Sequence, residues 1–162
     1  MLLKIPRTLR GFTLIELMVV ISIVLILIVG AVAKYNEYSE KEKVRQAALK
    51  FMTDVRLAAA KATSGVKPSV CSTNTLTGYK LEFPVSCSNA CYEVTPVCTP
   101  VSGTTLRVEL ANTVRVSSTN SSIYFLPVVG GTDLSSDATI TFTGPTTYTE
   151  TVTITKYGLV NR

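Results

Sequence analysis

The sequence predicts an α+β protein, a long N-terminal α-helix packed by its second half on an antiparallel β-sheet domain. Three observations carry this. Residues 12–33 form a 22-residue apolar run with one charge, Glu16. Residues 34–63 keep apolar side chains at helical steps of three and four. Residues 63–162 contain 32 Ser and Thr and repeatedly alternate apolar with polar side chains, as strands do. The expected organisation is a basic leader at 1–11, an apolar helix at 12–33, its amphipathic continuation at 34–65 and a β-rich globular domain at 66–162.

Charge and composition narrow the functional classes. The chain has 162 residues, a net charge of +5, and neither His nor Trp. Without His there is no Ser-His-Asp or Cys-His catalysis and no haem His ligand. Lys4, Arg7 and Arg10 make the leader basic, whereas residues 63–162 carry six basic and six acidic side chains. Binding to DNA phosphates needs clustered Lys and Arg, so the neutral C-terminal part weighs against a nucleic-acid partner. No constellation supports catalysis, a cofactor or a metal. Asp133 and Asp137 flank a Gly-rich turn, but two carboxylates are too few for a Ca²⁺ site.

The 12–33 run is long enough to cross a bilayer as a helix, since about 20 apolar residues suffice and lipid forces every backbone group to find an internal partner. The basic leader keeps the N-terminus in the cytoplasm, and Tyr35 and Tyr38 suit the far interface. Glu16 is costly there, about 2.5–3.5 kcal/mol near the bilayer centre and less near an end, which marks it as functional. The helix then continues with Val44, Ala48, Phe51, Met52, Val55, Ala59 and Ala62 on one face. No Pro occurs between Phe12 and Val66; Gly65 and Pro68 are the expected stop. Such a helix of about 50 residues is about 75 Å long. The Ser39-x-x-Glu42 capping pattern falls inside continuous periodicity and is read as accidental.

About seven strands are expected: Tyr79–Val85, Tyr92–Cys98, Leu106–Leu110, Val114–Val116, Ile123–Phe125, Ala138–Thr143 and Thr151–Thr155, with one helix covering a face. Cys71, Cys87, Cys91 and Cys98 fall within 28 residues beyond the membrane, which reads as two disulfides. Three connectivities are open. Closing the hairpin tip by Cys87–Cys91 and tying the preceding segment by Cys71–Cys98 is preferred. Four-thiolate zinc lacks its usual paired spacing here. Asn120-Ser121-Ser122 matches a glycosylation sequon that matters only in a eukaryotic secretory host.

Gly11-Phe12-Thr13-Leu14-Ile15-Glu16, behind a basic leader and ahead of the apolar run, closely resembles the type IV prepilin motif. The resemblance implies cleavage between Gly11 and Phe12 by a prepilin peptidase and N-methylation of Phe12. It implies a structural, non-enzymatic subunit: a pilin, minor pilin or type II secretion pseudopilin, the alternative being a minor pilin whose globular domain binds DNA or a surface. Such a subunit rests in a bacterial inner membrane and then enters an extracytoplasmic pilus or pseudopilus with other subunits and the assembly machinery. Cleavage creates a positive α-amine at Phe12, a partner for Glu16 of a neighbouring subunit. The run Ile123–Pro127, the Gly-rich turn, Thr139–Phe142, Val152–Ile154 and Gly158 resembles the globular domain of H-type pseudopilins and related minor pilins. Some of that group bind DNA through a basic tail; Gly158-Leu159-Val160-Asn161-Arg162 keeps only a glycine and one arginine of it.

Overall fold

The computed structural model describes residues 11–83, 90–100, 102–128 and 130–162. Its elements are α1 (Leu14–Thr63), a 3₁₀ turn (Ser69–Cys71), and eight strands. These are β1 (Thr75–Glu82), β2 (Cys91–Thr99), β3 (Leu106–Glu109), β4 (Arg115–Ser118), β5 (Ser122–Phe125), β6 (Ala138–Thr143), β7 (Thr149–Ile154) and β8 (Val160–Asn161). Two compact units divide within α1, between Tyr38 and Ser39.

In the first unit α1 starts at Leu14, and its described side chains from Leu14 to Ile28 are exposed on every side. Beyond Tyr38 the helix is amphipathic. Val44, Ala48, Phe51, Val55 and Ala62 are buried at steps of three, four and seven, joined by Ala47 and Ala58. Ion pairs at i,i+3 and i,i+4 flank this face, Lys43–Glu40 at 2.8 Å and Lys50–Asp54 at 3.1 Å. The helix ends in a Schellman arrangement. Val66 N–H donates to the Lys61 carbonyl and Gly65 N–H to that of Ala62, both at 3.0 Å. Gly65 takes φ +65°, which glycine adopts without Cβ strain.

The β-rich part is two four-stranded antiparallel sheets where the sequence led us to expect one. The first has the order β3-β2-β1-β5, the second β4-β6-β7-β8. β4 lies between β3 and β5 in the chain yet joins the second sheet, so the chain changes sheets twice before β6. Strand alternation follows the sequence on most elements. Leu81, Ile123, Phe125, Ile140, Phe142, Val152 and Ile154 are buried, with Lys80, Thr139, Thr141 and Thr153 on the other faces. β3 departs from it: Leu106, at the start of this edge strand, is exposed, while Leu110, just beyond the strand, is buried. The first expected strand also shifts. It ends at Glu82, begins at Thr75, and carries a register shift between Leu76 and Gly78 where β1 faces β2. Val85 and residues 86–89 of the expected hairpin tip lie outside the described residues, while Ala90 and Cys91 of it are described.

The amphipathic half of α1 fills the core with both sheets. The Phe51 ring lies 5.0 Å from Tyr92 on β2 and 5.3 Å from Phe142 on β6. Arg56 Nη2 donates to the Val160 carbonyl on β8 at 2.8 Å, fixing the last strand to the helix. Gly144 stands where a Cβ would come 2.8 Å from Val44 Cγ2, so the β6–β7 turn can lie directly on α1.

Candidate processing and assembly segment

Gly11, Phe12 and Thr13 are non-helical, and α1 opens immediately after them. Thr13 is the N-cap. Its Oγ1 accepts the Glu16 N–H at 3.3 Å and its carbonyl accepts the Leu17 N–H at 3.2 Å. This satisfies one of the donors that a helix start leaves orphaned. Glu16 is the third helical residue, so its carboxylate sits on the positive end of the helix dipole. The sequence reading weighed Ser39-x-x-Glu42 as a capping pattern and passed over Thr13-x-x-Glu16. The same Thr-x-x-Glu signal ahead of an apolar run would have found it.

Phe12 is 77% exposed. A Cβ on Gly11 would meet nothing within 4 Å, and no positive φ holds this glycine in place. Packing within the described chain therefore sets no requirement for glycine at position 11. From Leu17 to Ile28 the helix presents Leu, Met, Val and Ile with one hydroxyl, Ser22, whose Oγ donates to the Met18 carbonyl at 2.8 Å. Among the described residues, no helix is long and apolar enough to cross a membrane. The unbroken described stretch from Leu17 to Ile28 corresponds to about 18 Å of helix against a hydrocarbon core of about 30 Å. Tyr35 and Tyr38 are exposed farther along.

The remaining candidate residues lie in the second unit. Cys71 and Cys98 form a disulfide with a Cα–Cα distance of 6.0 Å, tying the 3₁₀ turn to the end of β2. Cys91 opens β2 and is buried; Cys87 lies outside the described residues. Among the described residues no cysteine is free. Asp133 and Asp137 are loop staples. Asp133 Oδ1 accepts the Tyr124 N–H at 2.8 Å and Asp137 Oδ1 the Lys156 N–H at 3.1 Å. Among the described residues no group of three or more His, Cys, Asp or Glu could hold a metal ion.

Two polar clusters escaped the sequence reading because their members are far apart in the chain. Tyr92 Oη donates to Asp54 Oδ2 at 2.5 Å, and burial, reinforced by that carboxylate, holds the phenol far above its usual range. Glu150 is buried. It accepts Arg162 Nε at 2.9 Å and Nη2 at 2.5 Å, and also the Tyr148 hydroxyl. The Arg162 guanidinium holds the Glu150 carboxyl below the usual carboxylate range, against the opposing effect of desolvation.

Residues 7–32 match the family model of the prokaryotic N-terminal methylation motif. No curated protein and no solved structure matches the chain. The matched motif, with its capped helix start and exposed apolar helix, supports a type IV pilin-like protein and a structural subunit in preference to an enzyme.

Proposed function

We propose that this chain is a structural subunit of a type IV pilus or a type II secretion pseudopilus. Residues 1–11 are the leader, removed by a prepilin peptidase between Gly11 and Phe12, after which the new Phe12 amine is methylated. The charge-free sequence from Leu17 to Ala33 extends the exposed apolar helix and holds the subunit in the bacterial inner membrane. On assembly the same surface packs against the helices of other subunits, in a head-to-tail array that does not close. Glu16 then neutralises the Phe12 amine of a neighbour and selects one axial stagger on a surface that otherwise has no register mark. In the globular part, Cys87 pairs with Cys91. The sequence pattern of Ile123–Pro127, the Gly-rich turn, Thr139–Phe142, Val152–Ile154 and Gly158 is what suggests a likeness to H-type minor pseudopilins.

The observation that carries the proposal is the methylation motif ending in an apolar helix whose first turn begins two residues after Phe12. Gly11 is compatible with it, since a Cβ there would meet nothing within 4 Å among the described residues. Nucleic acid is left out of this reading, because acidic partners already hold Lys80, Arg107 and Arg162 of the neutral globular part. Mass spectrometry of sheared filaments tests the proposal. The mature chain should begin at methylated Phe12, and Gly11→Val should accumulate as membrane-bound precursor. Filaments containing the chain with Met1 intact would overturn it.

A further inference from the structure

Four large apolar side chains stand exposed on two neighbouring loops. Leu126 and Val128, the latter 79% exposed, lie on the loop after β5. Tyr157 and Leu159, 70% and 61% exposed, lie on the β7–β8 turn. The loops are tied together. Thr132 donates its N–H and its hydroxyl to the Lys156 carbonyl at 3.0 and 3.1 Å, and Gly158 approaches Gly131 so closely that a Cβ would come 3.4 Å from its Cα. Asp137 holds the Lys156 N–H, and the Lys156 ammonium lies 5.0 Å from the centre of the Tyr157 ring. Val128 takes φ +66°, a conformation that β-branched residues avoid, so the apex is held out at a cost in strain. The patch is therefore built in advance of any partner.

A groove of about 170 Å³ lies between α1 and the first sheet, toward the β3 edge. Leu57 and Ala58 line it from the helix, Val94 and Pro96 from β2, and Leu106 from β3. Leu57 and Leu106 are half exposed. Its polar lining includes one acid, Asp54, and one base, Lys61, which recommends it to a neutral apolar occupant over a polyanion. β3 and β5 are opposite edges of one sheet, so patch and groove are separate surfaces.

We infer that Tyr157 of one copy seats in the Leu57/Leu106 groove of a second copy, with Leu126, Val128 and Leu159 of its patch against the groove's rim. The size of the patch identifies the occupant. Four side chains bury far less than the roughly 1,000 Å² that free partners need, so the contact works only between molecules already held together. A second copy tethered through its N-terminal helix meets that condition; here the inference rests on the filament reading above. A contact between two different surfaces repeats from copy to copy without closing, as a filament requires.

The test places p-benzoylphenylalanine at position 157 of the full-length chain, in its own host, and irradiates sheared filaments. Peptides joining position 157 to residues 57–61 or 104–106 of another copy are expected. Leu106→Asp on an exposed edge should lower that yield several-fold while the mature N-terminus stays unchanged. Cross-links to another protein, to a different part of the chain, or to nothing would overturn the contact. N-terminal mass spectrometry of the same sample separates the two claims. Processed filaments without the cross-link defeat only the contact, whereas an unprocessed chain that never assembles defeats both.

Discussion

The Phe51 ring meets the Tyr92 ring edge-on, with planes at 87° and centroids 5.0 Å apart, and Tyr92 in turn hydrogen-bonds back to Asp54 on the helix that carries Phe51. One helical turn thus holds β2 by both an aromatic contact and a buried hydroxyl. Phe51 also touches Phe142 in the second sheet, so its loss leaves a cavity shared by three elements. Phe51→Ala should destabilise the globular part by about 3–5 kcal/mol. Tyr92→Phe should cost less, about 1 kcal/mol, through the lost hydrogen bond, because Lys50 still pairs with Asp54. Denaturant titration of both variants measures the difference.

Thr13→Ala removes the cap from the first turn of α1 and should cost about 1 kcal/mol of local helix stability, with Thr13→Ser restoring most of it. Amide hydrogen exchange at Glu16, in micelles, reads this directly. Unchanged protection of the Glu16 amide in Thr13→Ala would show that the hydroxyl does not cap the helix.

Glu16→Leu should insert and be cleaved normally but enter filaments poorly beside wild type. Glu16→Asp should be partly impaired, because the carboxylate retreats by one methylene. Quantifying each form in sheared filaments after co-expression is the measurement. Equal incorporation of Glu16→Leu would reduce Glu16 to an interfacial residue with no part in register.

The Cys71–Cys98 disulfide closes a loop with a sequence separation of 27. On the chain-entropy account, opening it as Cys71→Ser with Cys98→Ser should cost about 3 kcal/mol of global stability. Comparing urea midpoints of the double variant and wild type checks the figure. In the wild type, non-reducing peptide maps should also link Cys87 to Cys91; a peptide joining Cys71 to Cys87 would refute both pairings.

Glu150 has a carboxyl held below its unfolded value by Arg162. Its stabilisation is therefore complete above the ordinary carboxylate range and disappears as pH falls through the lowered folded value. Arg162→Gln takes away that depression, so stability between neutral pH and about pH 3 should fall less steeply than in wild type, from a lower starting point. Thermal melts across that range give the slope. Parallel acid slopes would mean that the pair does not set the folded carboxyl's affinity for protons.

The helix was legible in the sequence because its signals are local. The charge-free run, the buried sequence Val44, Ala48, Phe51, Val55 and the stop at Gly65 each follow from neighbours within two turns. Strand existence was legible for the same reason, through period-two alternation in residues 138–143 and 149–154. The partition into two sheets was not. Alternation says which face of a strand is buried but not which strand lies beside it, and nothing in Arg115–Ser118 announces that β4 pairs with β6 instead of its neighbour β3. The short β8 escaped because two residues cannot show a period. In the candidate site, Gly11, Phe12 and Glu16 were readable as a contiguous motif. Arg162 with Glu150 and Tyr92 with Asp54 are brought together only by the finished fold.

The return of β8 to the helix sets the timing of biosynthesis. Arg56 emerges from the ribosome 104 residues before Val160, the group that it binds, and Phe142 follows Phe51 by almost as much of the chain. The partners of α1 on β1 and β2 are made early, but the core closes only when β6, β7 and β8 arrive. Contacts of such long sequence separation form slowly, and the waiting chain is aggregation-prone. A nascent chain halted before β6 would leave uncovered the side of Phe51 that meets Phe142.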